Sequence, residues 1–179
     1  NATIKINGGS YGVKDTSSNV AGLTASLYAN KAVTISDTTN AADIKTLTDG
    51  KAASIAYTKL SDTADNINGT LANIKAGVEV DISDNADTTE FKAISDKVGT
   101  VGGGATLTAS TVVGTIDELV TVKTLLKNHT AKFTDRASVS KFKSVLDEKP
   151  TLIQGVIEDT VAALTNGSLA AGVTAGSTE

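Results

Sequence analysis

Apolar positions along this chain follow two periods in turn. In the run Val78–Ile82, β-branched residues at every second position are separated by Glu79 and Asp81, which predicts a strand with one buried face. Ile67, Leu71 and Ile74 recur at helical spacing after an earlier run of this kind, which predicts a short amphipathic helix. The chain is therefore predicted to consist of short strands that alternate with short helices.

The strand–helix unit recurs along the whole chain. Seven copies, some of them diverged, cover residues 13–23, 33–47, 57–74, 78–94, 106–120, 131–146 and 155–164. A junction residue between strand and helix marks each copy: Asp15, Asp37, Asp62, Asp84, Ser110, Asp135 and Asp159. Successive junction residues are 22, 25, 22, 26, 25 and 24 residues apart. This regularity predicts an α/β repeat solenoid of short parallel strands alternating with short helices, with a period of about 24 residues.

The pattern also predicts how each unit is built. A junction carboxylate, such as that of Asp37 or Asp62, can accept hydrogen bonds from the first turn of the following helix, as an N-cap does. The strands that precede Asp37, Asp62, Asp84 and Asp135 are expected to be parallel neighbours, with the helices on the other side. Eight strand residues are expected in the core: Val33, Ile35, Ile55, Val78, Val80, Ile82, Leu107 and Phe133.

Two segments depart from this pattern. Residues 98–105, VGTVGGGA, are predicted to form a flexible loop because four of the eight residues are glycine. Residues 120–150 are expected to hold the longest helical stretches, around a turn at Asn128-His129, with Pro150 closing the second stretch.

The chain is predicted to form a single repeat domain over 1–179. Its terminal segments, 1–10 and 167–179, are candidates for intersubunit strands or tails. The first alternates like an edge strand, and the second is small, uncharged and compatible with a strand. Since neither segment resembles the polar capping unit that a soluble solenoid needs, we expect contacts between copies at these ends.

A short phrase, Asp-Thr-x-x-Asn followed by an apolar residue, occurs at Asp15–Val20 and at Asp62–Ile67. This phrase resembles repeats of large secreted bacterial cell-surface and adhesin proteins. The resemblance covers about two thirds of the chain in diverged form and implies an extracellular, structural or adhesive role. The glycine–aspartate nonapeptides that bind calcium in many such proteins are absent from this sequence.

Composition narrows the possible functions. The net charge is −4 and the basic residues are scattered, which disfavours nucleic-acid binding. No apolar run is long enough to span a bilayer. Aromatic residues make up 3% of the chain and cysteine is absent, which removes thiol chemistry and disfavours a deep catalytic pocket. The first residue is Asn1, which we interpret as the start of a mature chain that has lost a leader; a segment cut from a longer protein is the alternative.

The candidate chemical residues favour structural roles. His129 is the only histidine, and we expect it in a surface turn rather than at a catalytic centre. The glycines from Gly99 to Gly104 lack the Lys-Ser/Thr ending of a phosphate-binding loop. Five residues gather carboxylate and amide oxygens around one junction and would suit Ca²⁺ if any metal binds, although capping roles explain them better: Asp81, Asp84, Asn85, Asp87 and Glu90.

The sequence therefore predicts a non-enzymatic, extracellular structural subunit that self-assembles with copies of itself into a filament or surface layer. We expect no catalytic residue, no resident metal and no obligatory cofactor. The alternative is an adhesin or carbohydrate-binding module of a cell-surface protein, with surface glycans as partners. Four Asn-x-Ser/Thr sites are compatible with an extracellular location without requiring it: Asn1, Asn68, Asn128 and Asn166.

Overall fold

The computed structural model describes residues 3–7 and 10–160, with side chains from residue 11 onwards. The chain divides into two compact units, residues 1–110 and 111–179, and the boundary lies within strand β8, Thr106–Gly114. Of the two terminal segments, 167–179 lies outside the described residues, as do residues 161–164 of the last predicted copy, 155–164.

Strands and short helices alternate in both units, as the hydrophobic pattern predicts. In the first unit the strands are β1 Thr3–Asn7, β2 Ser10–Asp15, β3 Ala32–Ile35, β4 Thr38–Thr39, β5 Ser54–Ala56, β6 Lys59–Asp62, β7 Glu79–Asp87 and the start of β8. Its helices are α1 Ser17–Ala21, α2 Ala25–Tyr28, α3 Ala41–Asp49, α4 Ala64–Asn68 and α5 Thr88–Val101, with a 3₁₀ turn at Leu71–Asn73. The second unit contains the end of β8, α6 Ile116–Val122, a 3₁₀ turn at Lys123–Leu125, β9 Thr130–Ala137, α7 Val139–Leu146 and β10 Leu152–Ile157.

Parallel pairing between successive copies dominates the sheets and confirms the α/β class. In the first unit β2, β3 and β5 pair in parallel, and so do β4, β6 and β7. In the second unit β8, β9 and β10 pair in parallel. The arrangement of these units as a solenoid stays a prediction.

Two details of the pairing were not predicted. The strand before Asp37, β3, pairs in parallel with β5, which lies before Asp62, so the predicted parallel neighbours are confirmed. The additional short strand β4, which follows Asp37 and pairs with β6, was not predicted. In addition, β1 is antiparallel to β2, with Thr3 opposite Lys14. The terminal segment 1–10 therefore supplies an edge strand that pairs with its own chain.

The core consists of aliphatic side chains from one face of the strands and one stripe of the helices. Seven of the eight predicted core residues are buried, and Leu107 is only half-buried. Leu107 lies between two exposed residues, Thr106 and Thr108, so the predicted alternation of the strand is present, but the Leu107 side chain is not fully covered. The helical side is closed by buried residues such as Ile44, Leu119, Tyr28 and Phe91.

The loop predicted at 98–105 is wrong over its first half. Helix α5 continues to Val101, because buried Val98 and Ile94 outweigh the roughly 1 kcal/mol that Gly99 costs inside a helix. The turn follows at Gly102–Gly104, where φ is positive at all three residues and a side chain would be strained. At 14 residues, α5 is the longest described helix.

The helical stretches expected in 120–150 are also corrected. The turn at Asn128 exists, with φ of 67°, but it leads into strand β9 rather than into a second helix. Thr130, Phe133 and Thr134 favour a strand there. Helix α7 begins only at Val139 and ends at Leu146, before Pro150.

Candidate functional site: the aspartate ladder

The helices are capped by residues that follow the junction residues. The N-caps of α1 and α3–α7 are Thr16, Asn40, Thr63, Asp87, Thr115 and Ser138. The prediction that Asp37 and Asp62 cap the helices of their own repeats is therefore wrong. Their carboxylates instead bind a helix that lies about 20 residues earlier in the chain.

We call this set of contacts the aspartate ladder. In each contact, a junction carboxylate accepts the backbone N–H of the first helical residue of the preceding repeat. The five bonds are Ser17 N to Asp37 at 2.7 Å, Ala41 N to Asp62 at 3.0 Å, Ala64 N to Asp84 at 2.8 Å, Ile116 N to Asp135 at 2.7 Å and Val139 N to Asp159 at 2.9 Å. All five donor residues are at most 5% exposed. Since the first N–H groups of a helix lack intrahelical partners, each carboxylate satisfies a donor that would otherwise be buried and unpaired.

The Asp-Thr-x-x-Asn phrase gives the two carboxylate oxygens separate partners. In the Asp62 repeat, Oδ1 accepts from Thr63 N at 2.8 Å and from Asn66 Nδ2 at 2.8 Å, while Oδ2 accepts from Ala41 N of the preceding repeat. Burial alone would raise the pKa of Asp62, but the hydrogen bonds from Asn66, Thr63 and Ala41 together lower it below its usual value. Asp159 divides its oxygens in the same way, with Oδ1 to Thr160 N and Oδ2 to Val139 N. One side chain thus fixes its own helix and attaches its repeat to the one before.

The ladder is interrupted at one junction. The first residue of α5, Thr88, is only 6% exposed, yet within the described part of the chain no carboxylate accepts its N–H. The junction residue of the following repeat is Ser110, whose side chain is shorter and uncharged. Helix α5 relies instead on its own capping box, in which Asp87 accepts from Glu90 N at 2.8 Å and Glu90 accepts from Asp87 N at 3.2 Å.

At the start of the ladder, one acceptor has no donor. Asp15 Oδ1 accepts from Thr16 N at 2.7 Å and from Asn19 Nδ2 at 3.0 Å, and these bonds lower the pKa of Asp15. Its Oδ2 is buried and has no hydrogen-bond partner among the described residues. In the Asp62 repeat, the corresponding oxygen binds Ala41 N.

A second difference between the same two repeats lies near this oxygen in sequence. Residues 15–30 align without gaps with 62–77, and this places Leu27 opposite Ile74 and Asn30 opposite Gly77, both of which have positive φ. Ile74 is 2% exposed, whereas Leu27 is 38% exposed.

The last described repeat is incompletely covered as well. Ile153 and Ile157 of β10 are half-buried, although Ala131 and Ala137, which they pair with on β9, are fully buried. On the other side of β10, Val156 is 62% exposed. Positions that are fully buried in β9 are therefore partly exposed in β10.

The residues proposed for Ca²⁺ have separate partners. Asp81 accepts from Ser61 and Thr108, Asp84 from Ala64 N, and Asp87 caps α5. Burial and the nearby Asp65 side chain raise the pKa of Glu90. In the residues that the structure describes, no group of three or more carboxylate or histidine side chains is arranged to hold a metal ion.

The other candidate residues lie at turns. His129 is half-buried where the 3₁₀ turn meets β9, its carbonyl accepts from Thr151 N at 2.9 Å, and burial lowers its pKa. Asn68 and Asn128 are exposed, while the Asn1 and Asn166 sites lie outside the described residues. A shallow groove of about 320 Å³ lies between α3 and α4, and the charged residues in its lining are Lys45 and Asp65.

Comparisons with protein-family models, with curated proteins and with solved structures found no match to this chain. No helix in the part of the chain that the structure describes is long and apolar enough to cross a membrane.

Proposed function

We propose that this chain is a non-enzymatic structural subunit that self-assembles with copies of itself into an extracellular filament or surface layer. The aspartate ladder is the observation that carries the proposal. The Asp62 repeat contributes a carboxylate to the preceding helix and a helix N–H to the following repeat, so a contact of this type can be repeated without a new kind of interface. A head-to-tail contact of this kind is heterologous and gives a filament unless its rotation closes a ring.

The alternative, a carbohydrate-binding module, has less support. Sugar-binding sites commonly use exposed aromatic rings, and five of the six aromatic side chains here are buried. The sixth, Tyr11, is half-buried and stacks against Lys31 Nζ, which lies 4.4 Å from the ring centroid. No group of neighbouring rings is therefore presented for a glycan among residues 11–160.

The extracellular location rests on the sequence. The Asp-Thr-x-x-Asn phrase resembles repeats of secreted surface proteins, and the absence of cysteine is compatible with an oxidising exterior. Protease treatment of intact cells that express the native gene is the direct test. Digestion of the protein while a cytoplasmic marker survives is expected, and protection until the cells are lysed would contradict the location.

Assembly is tested on the purified chain by static light scattering and negative-stain electron microscopy at concentrations from micromolar to millimolar. We expect the mean mass to rise with concentration and elongated or sheet-like particles to form. A mass that stays at the monomer value of 18.1 kDa across this range would refute self-assembly. Monomers that bind cell-wall glycans would favour the alternative.

A further inference from the structure

Neighbouring helices make a second polar contact between repeats, through side chains of their first turns. In this contact, the third residue of the later helix reaches the first or second residue of the earlier helix. Asp43 of α3 accepts from Ser17 Oγ of α1 at 2.6 Å, and Lys141 Nζ of α7 lies 2.6 Å from Asp117 Oδ1 of α6. Both pairs are complementary, because one joins a hydroxyl donor to a carboxylate and the other joins a cation to a carboxylate.

The helix pair α4 and α5 has two acids at these positions. Asp65 is the second residue of α4, and Glu90 is the third residue of α5. The two helices pack against each other, and the side chains of Asp65 and Glu90 lie within hydrogen-bonding reach. Two ionised carboxylates have no proton to share and repel each other, so this contact lacks the complementarity of the other two.

The elements packed around this pair bring more acids than bases to it. Their charged side chains include Asp62 of β6, Asp84 and Asp87 of β7, Lys45 of α3 and Lys92 of α5. The three acids accept backbone N–H groups at helix starts. Each lysine is bonded to the carboxylate four residues later in its own helix. A proton is therefore the simplest partner that makes the two facing acids complementary.

We propose that Asp65 and Glu90 form a pH-sensitive contact between two repeats, which is repulsive when both are ionised and becomes a hydrogen bond when they share one proton. The proton on Glu90 is donated to the Asp65 carboxylate, which removes one negative charge and makes a charge-assisted hydrogen bond. The contact lies within one chain, so it does not depend on self-assembly and stands or fails separately from the proposed function.

The direction of the pH effect follows from the surroundings of Glu90. Burial and the Asp65 side chain raise the pKa of Glu90 above its ordinary value of 4.5, while the hydrogen bond from Asp87 N acts in the opposite direction. A group whose pKa is raised in the folded state stabilises the fold below its unfolded-state pKa, and this stabilisation is lost as the pH rises through the folded-state pKa. We therefore expect the contact between α4 and α5 to strengthen in mildly acidic solution. The opposite effect of Asp62 occurs at lower pH, below 3.8.

The variant Glu90→Gln imitates the protonated state at every pH. Its side-chain oxygen can still accept from Asp87 N, as glutamine does in a capping box, and its N–H₂ group can donate to Asp65. We expect the equilibrium constant for unfolding at pH 7, measured with urea, to fall about two- to fivefold, which is the scale of one exposed charge pair. The difference from wild type should shrink as the pH is lowered to 5.

The matched control is Glu118→Gln, which makes the same change at the same capping-box position of α6. Its neighbour Asp117 is already paired with Lys141, so this variant should be no more stable than wild type at pH 7. If Glu90→Gln gains no more stability than Glu118→Gln, the proposal is overturned.

The other member of the pair is tested by Asp65→Asn, with the ionisation of Glu90 as the readout. A titration of the side-chain carboxyl carbons by nuclear magnetic resonance reports the pKa of Glu90 in the folded protein. Since asparagine carries no charge to oppose ionisation, we expect Glu90 to titrate at a lower pH in this variant than in wild type. An unchanged Glu90 titration would show that Asp65 does not act on Glu90, and the proposal would be wrong.

Discussion

Replacing Asp62 by alanine tests whether the aspartate ladder stabilises the fold. The substitution removes the acceptor of three donors: Thr63 N, Asn66 Nδ2 and Ala41 N. Water can replace the carboxylate at Asn66, which is exposed, but not easily at Ala41, which is 3% exposed. The main loss is therefore the desolvated Ala41 N–H, and we expect the free energy of unfolding to fall by about 2 kcal/mol.

Urea unfolding at neutral pH measures this loss, and amide hydrogen exchange locates it. The Ala41 amide belongs to α3, about 20 residues before the substituted side chain. If local opening of α3 becomes easier by the same free energy, its exchange should accelerate about thirtyfold. Asp49→Ala is the control, because it removes an exposed carboxylate of the same helix whose ion pair with Lys45 contributes at most about 1 kcal/mol.

The comparison with Asp15→Ala separates the local bonds from the bond between repeats. Asp15 makes the same local contacts but has no ladder donor among the described residues, so its replacement in the monomer should destabilise less than that of Asp62. Equal losses for Asp15→Ala and Asp62→Ala would show that only the local hydrogen bonds matter. An Ala41 amide that exchanges as in wild type would refute the reasoning directly.

Four further substitutions test the structure. Since hydrogen bonds lower the pKa of Asp62 below 3.8, the Asp62 carboxylate stabilises the fold above that pH, and this stabilisation is lost as the pH falls through the folded-state pKa. The Asp62→Asn variant should therefore show a flatter decrease of the free energy of unfolding towards acidic pH. Gly50→Ala should destabilise by about 1–3 kcal/mol, because the new methyl group overlaps the ring of buried Tyr28, whereas Gly99→Ala, with nothing within 4 Å, should stabilise helix α5 by about 1 kcal/mol in the same unfolding assay. Burial raises the pKa of Tyr57 to about 12, so this phenol favours the folded state below about pH 10 and loses that effect as the pH rises towards 12; an ultraviolet titration should show one late ionisation that is missing in Tyr57→Phe.

Short-range pattern was sufficient to predict the elements and their order. Alternating β-branched residues and helically spaced apolar residues identified the strands and helices, since both signals depend on neighbours within a few positions. The same logic failed at Gly99, where tertiary burial of Val98 overrides the low helix propensity of glycine. It failed again at 57–58, where no local signal marks the break between β5 and β6.

The role of the junction residues depends on a contact that local pattern does not contain. An Asp before a helix predicts a cap for that helix, but the structure aligns Asp62 with a donor 21 residues earlier, at Ala41. The regular spacing of the junction residues was the available signal. A cap needs only its own helix and would tolerate any spacing, whereas a carboxylate that binds the preceding repeat requires a nearly constant one.

The two carboxylate oxygens of Asp62 bind different repeats, and this links the stability of neighbouring repeats. Because Asp62 holds its own helix through Oδ1 and the earlier helix through Oδ2, disorder in one repeat removes a hydrogen bond from the next. Neighbouring repeats that are linked in this way add a nearest-neighbour contribution to the stability of each repeat.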